Sequence, residues 1–115
     1  MKDICSILLR MFKAKDSAGA SITSGGTESI MMTIKAHRDL FKSKGVTEPE
    51  LIAAVSVHAA VDKSCHYLGV KLVHVPVDSD GRMSISAAKA CINSNTIMIF
   101  GSAPSFPHGK YFGLP

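Results

Sequence analysis

Three short segments hold the residues whose types and spacing could do chemistry in this chain. The first is Thr23-Ser24-Gly25-Gly26-Thr27-Glu28-Ser29. Two glycines just ahead of a helix let a ligand approach the backbone, because no Cβ stands in the way. The unpaired N–H groups of the first helical turn, with the helix dipole behind them, then form a site suited to phosphate. The hydroxyls of Ser24, Thr27 and Ser29 add donors. The segment is neither a Walker A loop nor Gly-x-Gly-x-x-Gly. An ordinary serine-capped helix after a glycine turn has the same spacing, so spacing alone leaves both readings open.

The second segment is Ser56-Val57-His58-Ala59-Ala60, with His58 just past an apolar, strand-like run. Ligands of open α/β sheets sit outside the carboxyl ends of strands, and an imidazole flanked by alanines could stack on a ring there. A helix-capping or merely exposed histidine is the competing reading. The third segment is Ser102-Ala-Pro-Ser-Phe-Pro-His-Gly109, past another strand-like run. All three segments are expected on one rim, as a cofactor site requires.

The remaining candidates read as structure. His37 falls on an apolar helix stripe, His66 in mid-helix and His74 inside a strand, so packing is expected for each. No His pair four apart brackets a carboxylate as a zinc-protease helix needs. Met31 and Met32 are adjacent and read as core filler. Cys5, Cys65 and Cys91 show neither Cys-x-x-Cys nor a disulfide framework, and are expected as reduced, mostly buried thiols.

The elements that must position these segments alternate between helix and strand, the signature of parallel α/β architecture. Ile4, Ile7, Leu8 and Met11 make a helical stripe over Ile4–Phe12. Ile30, Ile34, His37 and Phe41 share one face of a helix over Thr27–Lys44, which Gly45 stops. Strands are predicted near Leu51–Val57, Lys71–Val77 and Thr96–Gly101. Helices are predicted over Ala59–Leu68, closing at Gly69, and over Ser84–Ile92 with Ser84 as N-cap. Residues from Gly101 to Pro115 follow no period. Three strands leave two open edges and half-covered helices, so the chain reads as a cut from a larger sheet.

The chain has 115 residues, 46% of them hydrophobic and 19% charged, which suits one globular domain or less and argues against wholesale disorder. No apolar run approaches the ~20 residues of a membrane span, and no signal-peptide pattern opens the chain. The net charge of +4 is spread along the sequence, so nucleic acid is not an expected partner.

Thr23-Ser-Gly-Gly-Thr-Glu-Ser-Ile30, then Lys35-Ala-His-Arg-Asp39, His58-Ala-Ala and Gly101-Ser-Ala-Pro-Ser-Phe-Pro-His-Gly109 strongly resemble the sphingosine-1-phosphate lyase family. That family lies in the pyridoxal-phosphate-dependent, decarboxylase-like group of the aspartate aminotransferase fold. The similarity runs in register from about Cys5 to Gly109. It implies an α/β piece of the large domain (residues 1–115, with no complete second domain), built on about three parallel strands with flanking helices. It implies pyridoxal 5′-phosphate as cofactor, with Gly26 and Thr27 on its phosphate and His58 over its ring. Ser102 is placed near the cofactor and His108 near the substrate.

In the family these groups serve cleavage of a phosphorylated sphingoid base to a fatty aldehyde and phosphoethanolamine. The resemblance places the aspartate on the cofactor nitrogen, and the lysine that holds the cofactor covalently, after Pro115. It places the membrane anchor of eukaryotic members before Met1. No lysine here stands in that catalytic context, and Phe112 occupies a position usually acidic in the family. The expectation is therefore a fragment of a lyase that is homodimeric when whole. Its expected location is cytoplasmic-facing, at the endoplasmic reticulum where an anchor is present. The alternative is a truncated, inactive relative that at most binds phosphate or a full-length subunit. Alone, the chain is expected to be poorly soluble or molten.

Overall fold

Leu51-Ile52-Ala53-Ala54 carries no charge on either face, as a strand buried on both sides of a parallel sheet requires. In the computed structural model, which describes residues 2–106 and Gly109, this run lies in the middle strand. The elements are α1 (Lys2–Met11), α2 (Gly26–Lys42), β1 (Glu50–Ala54), α3 (Ala59–Leu68), β2 (Lys71–Val75), α4 (Ile85–Ala90) and β3 (Thr96–Phe100). The sheet order is β2-β1-β3, all parallel. Every residue of β1 is buried. The expected three-stranded parallel α/β architecture is present.

Helices cover both faces. Ile34 of α2 and Val61 and Cys65 of α3 pack with Leu51, Ala53 and Ile97 on one side. Ala88 of α4 packs with Ile52, Ala54, Val75 and Met83 on the other. The crossover through α3 runs from β1 outward to β2. The crossover through α4 returns past β1 to β3 on the opposite face, so the two share one hand. The chain thereby reverses direction across the sheet, and β1 and β3 lie side by side at the reversal.

The element ends differ from the sequence reading for identifiable reasons. Val55 and Val57 suggest a longer β1, but Val57 N–H turns back to donate to the Ala54 carbonyl at 3.0 Å. β2 stops at Val75 because Pro76 has no N–H for the ladder. Val77 instead bridges antiparallel to Met83. Gly69 closes α3 with φ 63, a left-handed conformation that favours glycine. Ser84 caps α4 as expected, its Oγ accepting from Ala87 N–H. That helix ends at Ala90, short of Ile92.

At the amino ends of the strands, Glu50 of β1 joins Lys71 of β2 and the turn that leads into β3. Its side chain is largely buried, and its two carboxylate oxygens accept from Lys71 Nζ at 2.7 Å and Asn93 Nδ2 at 2.8 Å. The Lys71 hydrogen bond, then that of Asn93, holds the Glu50 carboxyl below its ordinary value. A carboxyl with a lowered folded-state pKa stabilises above its unfolded pKa and loses that contribution as pH falls through the folded value. Glu50→Gln should therefore flatten the acid limb of a stability-against-pH curve below about pH 4.3, the usual glutamate value. Equilibrium unfolding across that range checks it; an unchanged acid limb would remove Glu50 from the account.

Three of the packing expectations need correction. His66 is exposed, and His74 is exposed on β2 with Nε2 3.1 Å from Asp62 Oδ1. His66 lies on the solvent side of α3, and His74 lies on an edge strand beside α3. Met32 is also exposed rather than core filler, while Met31 is half-buried. His37 is half-buried, its Nδ1 2.9 Å from the Thr33 carbonyl oxygen. All three cysteines are free; Cys65 is buried, whereas Cys5 and Cys91 are only partly so. Burial, reinforced by the Asp62 charge, pushes the Cys65 thiol up to about 11, so it is an inert core group.

Candidate functional site

α2 begins at Gly26 with Gly25 as N-cap, and no side chain caps it. Glu28, in the third helical position, reaches back instead. Its Oε2 accepts from Ser24 N–H at 2.7 Å and from Ser24 Oγ at 2.6 Å. These bonds, the hydroxyl one foremost, hold the Glu28 carboxyl below its ordinary value. Thr23 Oγ1 donates to the Gly25 carbonyl at 3.0 Å and lies 2.6 Å from Ser29 Oγ. The loop is thus clamped from both sides, while the leading N–H groups of α2 receive no side-chain cap from Gly25.

The glycines here are not explained by the protein's own packing. Gly25 has φ 167, extended backbone that any residue adopts. A Cβ built on either Gly25 or Gly26 would meet nothing within 4 Å. Neither dihedral strain nor crowding demands glycine at these positions. What side chains there would obstruct is approach from outside to a helix N-terminus, where an anion is favoured.

The carboxyl ends of β1 and β3 enclose a cavity of about 450 Å³, within the size range of small-molecule sites. Its wall includes Ile30 of α2, Val57, His58, Phe100, Ser102 and Phe106. The reversal of the chain across the sheet opens the cavity there, as in other open α/β sheets. His58 is the N-cap of α3: its Nδ1 accepts from Ala60 N–H at 3.1 Å. Capping uses the Nδ1 lone pair and leaves the ring's proton on Nε2. The capping and ring-presenting readings are therefore compatible, since the cap fixes the imidazole on the cavity wall.

The structure brings His58 and Ser102 together in one cavity. Gly26 and Thr27 open the same helix that contributes Ile30, one turn before it, but are not themselves part of that wall. His108 lies outside the described residues. The sequence reading missed Ile30 and Phe100 as wall residues, whereas Phe106 belongs to the Ser102–Gly109 segment expected on the rim. Ile30 and Phe100 read as core positions on their elements. Among the described residues no cluster of His, Cys, Asp or Glu could hold a metal ion.

The fold now has its counterpart among known proteins. A Lactobacillus brevis glutamate decarboxylase superposes with a TM-score of 0.76 at 20% identity, over 98% of this chain and 28% of that one. A sphingosine-1-phosphate lyase of Burkholderia pseudomallei superposes with a TM-score of 0.87 at 24% identity, over 96% of this chain and 28% of that one. The chain is a small α/β fragment of three parallel strands with flanking helices, and its structural neighbours are pyridoxal-phosphate-dependent enzymes of fold type I.

Sequence narrows the class. The Arabidopsis thaliana sphingosine-1-phosphate lyase is 53% identical over 90 residues, which are 77% of this chain and 16% of that protein. No family model matches. The chain is a partial piece resembling the sphingosine-1-phosphate lyase family, and it spans about a fifth of the length of the curated relatives it matches.

Proposed function

We propose that this chain forms the phosphate-anchoring and ring-contacting part of a pyridoxal-phosphate-dependent carbon–carbon lyase acting on phosphorylated sphingoid bases. The observation that carries the reading is the uncapped start of α2, where Gly25 and Gly26 answer no demand of dihedral or packing. In this reading Gly26 and Thr27 offer N–H groups, and Thr27 a hydroxyl, to the cofactor phosphate. His58 contacts the ring from the cavity wall, held by its bond to Ala60 N–H. Ser102 supplies a hydroxyl from the wall of the same cavity, and His108 serves the substrate. Pyridoxal phosphate, when bound, supplies the electron sink for carbon–carbon cleavage. The homodimer and the setting at the cytoplasmic side of the endoplasmic reticulum belong to the same reading, through the family resemblance.

The chain's own residues divide the work simply. Glu28 and Thr23 hold the loop open, the helix dipole favours the phosphate dianion, and the apolar wall of Ile30, Val57 and Phe100 excludes water from one side of the ring. Titration with pyridoxal phosphate, against pyridoxal lacking the phosphate, tests the anchor. Tight binding of the first and weak binding of the second is expected, and equal binding would remove the assignment.

His58 can be tested separately because its two roles use different atoms. His58→Asn keeps an N-cap acceptor and removes the ring; His58→Ala removes both. Loss of a capping side chain typically costs about 0.5–2 kcal/mol. Unfolding measurements should show His58→Ala destabilised and His58→Asn close to the parent. Cofactor affinity should fall in both alike. A His58→Asn variant that binds cofactor as the parent does would reduce His58 to a cap.

A further inference from the structure

Lys35-Ala-His-Arg-Asp39 carries part of the family resemblance yet lies away from the candidate site, about three turns along α2 from Gly26. Its contacts lead to α3. Arg38, partly buried, donates from Nη1 to the Leu68 carbonyl at 3.1 Å. Leu68 ends α3, and its carbonyl is one of those that a helix C-terminus leaves without an intrahelical partner. Asp39 takes the other edge of the guanidinium: its Oδ1 accepts from Arg38 Nε at 2.8 Å and lies 2.7 Å from Nη2. Asp39 Oδ2 in turn accepts from Lys35 Nζ at 2.6 Å. The fork is therefore aimed, one edge fixed on its own helix and the other reaching across to α3.

Contacts between the two helices run in step. Ile30 of α2 shares the cavity wall with His58 and Ala59 of α3. One turn on, Ile34 shares the core with Val61 and Cys65. One turn further, Arg38 meets Leu68. The helices thus run parallel, and the start of α2 and His58 both stand at the carboxyl edge of the sheet. Apolar packing is non-directional and does little to fix how far one helix sits along the other. The Arg38 bond does fix it, and among the described residues it is the hydrogen bond that joins α2 to α3. We propose that Arg38 is a positioning residue, pinning α3 along α2 so that Gly26 and Thr27 stand from the His58 ring at the spacing one pyridoxal phosphate molecule spans. The inference rests on the phosphate and ring contacts proposed above. A ligand that touches both helices gains from their fixed spacing, whereas a ligand that touches one does not.

Titrations of the whole chain with pyridoxal phosphate, pyridoxal and inorganic phosphate separate these cases. Arg38→Ala should weaken pyridoxal phosphate by more than about tenfold, because its two contacts no longer reinforce each other. Pyridoxal, which meets His58 without the α2 anchor, and inorganic phosphate, which meets α2 alone, should each stay within about twofold. Arg38→Lys keeps the charge and most of the stem but lacks the planar fork that bonds Asp39 and Leu68 together. It should show the same split, and it serves where Arg38→Ala does not fold. Unchanged affinity for pyridoxal phosphate in a folded Arg38 variant overturns the proposal. So does a parallel loss for all three ligands, which would make Arg38 a support of the fold, or for the two phosphates alone, which would make it a distant charge. A parent chain that binds pyridoxal phosphate no better than pyridoxal or inorganic phosphate overturns the two-contact reading itself, and this inference with it.

Discussion

Gly26→Asp should abolish binding of the cofactor phosphate while leaving the fold intact or slightly firmer. The two effects have opposite signs for one reason. An aspartate in the first turn of α2 is favoured by the helix dipole, and its Cβ meets nothing within 4 Å. The same carboxylate stands where a phosphate dianion must approach. Two unit charges of like sign 4 Å apart repel by about 4 kcal/mol at an effective dielectric of 20, and a dianion doubles the count. Affinity should therefore fall by more than ~100-fold. Thr27→Ala removes a hydroxyl from the same site and should cost less, about 1.5–3 kcal/mol for a hydrogen bond to a charged group. Paired measurements of unfolding and pyridoxal phosphate titration check the ordering. If Gly26→Asp binds cofactor as the parent does, the α2 N-terminus is not the phosphate anchor, whatever the family resemblance implies.

What the sequence made legible follows from how local each signal is. α3 could be bounded to the residue because Gly69 must take a left-handed conformation and His58 supplies a cap, both encoded within the segment. β3 was equally plain, an apolar run set between Asn95 and Gly101. The carboxyl end of β1 was not, since Val55 and Val57 have strand propensity but yield to a turn that delivers His58 to the cavity wall. The end of β2 was readable in hindsight from Pro76, a residue that donates nothing to a ladder.

Burial was harder to read than element type. His74 lies in a strand, and a strand position says nothing about whether that strand is an edge. Only the order β2-β1-β3 shows that β2 is an edge strand, whose His74 stays exposed although it meets Asp62 of α3. The same ignorance hid Glu50, whose bonds to Lys71 and Asn93 join residues far apart in the chain. For the candidate site, the glycine loop and His58 were visible because special residue types occur at element junctions. Ile30 and Phe100 of the cavity wall were not, because apolar residues within an element carry no mark of what they face.

Ile34→Ala should be among the most destabilising single truncations of this chain. Ile34 is fully buried on α2 and sits in the cluster with Leu51, Ala53, Val61, Cys65, Val70 and Ile97. It is therefore the residue through which α2, α3 and the sheet share one core. Truncating a buried isoleucine costs about 2–5 kcal/mol, from lost transfer energy plus the cavity left behind. Domains of this size hold only about 5–15 kcal/mol in total, and this one has less margin. Both outer strands are sheet edges among the described residues, and large apolar side chains from Ile4 to Phe106 stand exposed. The parent chain should already bind a hydrophobic dye such as ANS, and Ile34→Ala should convert it to a state with helix signal but no cooperative melt. Met32→Ala, two residues away on the exposed face of the same helix, removes similar atoms without leaving a cavity and should be nearly silent. The contrast separates the two possibilities by calorimetry: a cooperative transition retained by Ile34→Ala would mean that α2 is not packed as the shared wall of this core. Loss of the transition in both variants would trace the effect to helix α2 itself rather than to the side chain it buries.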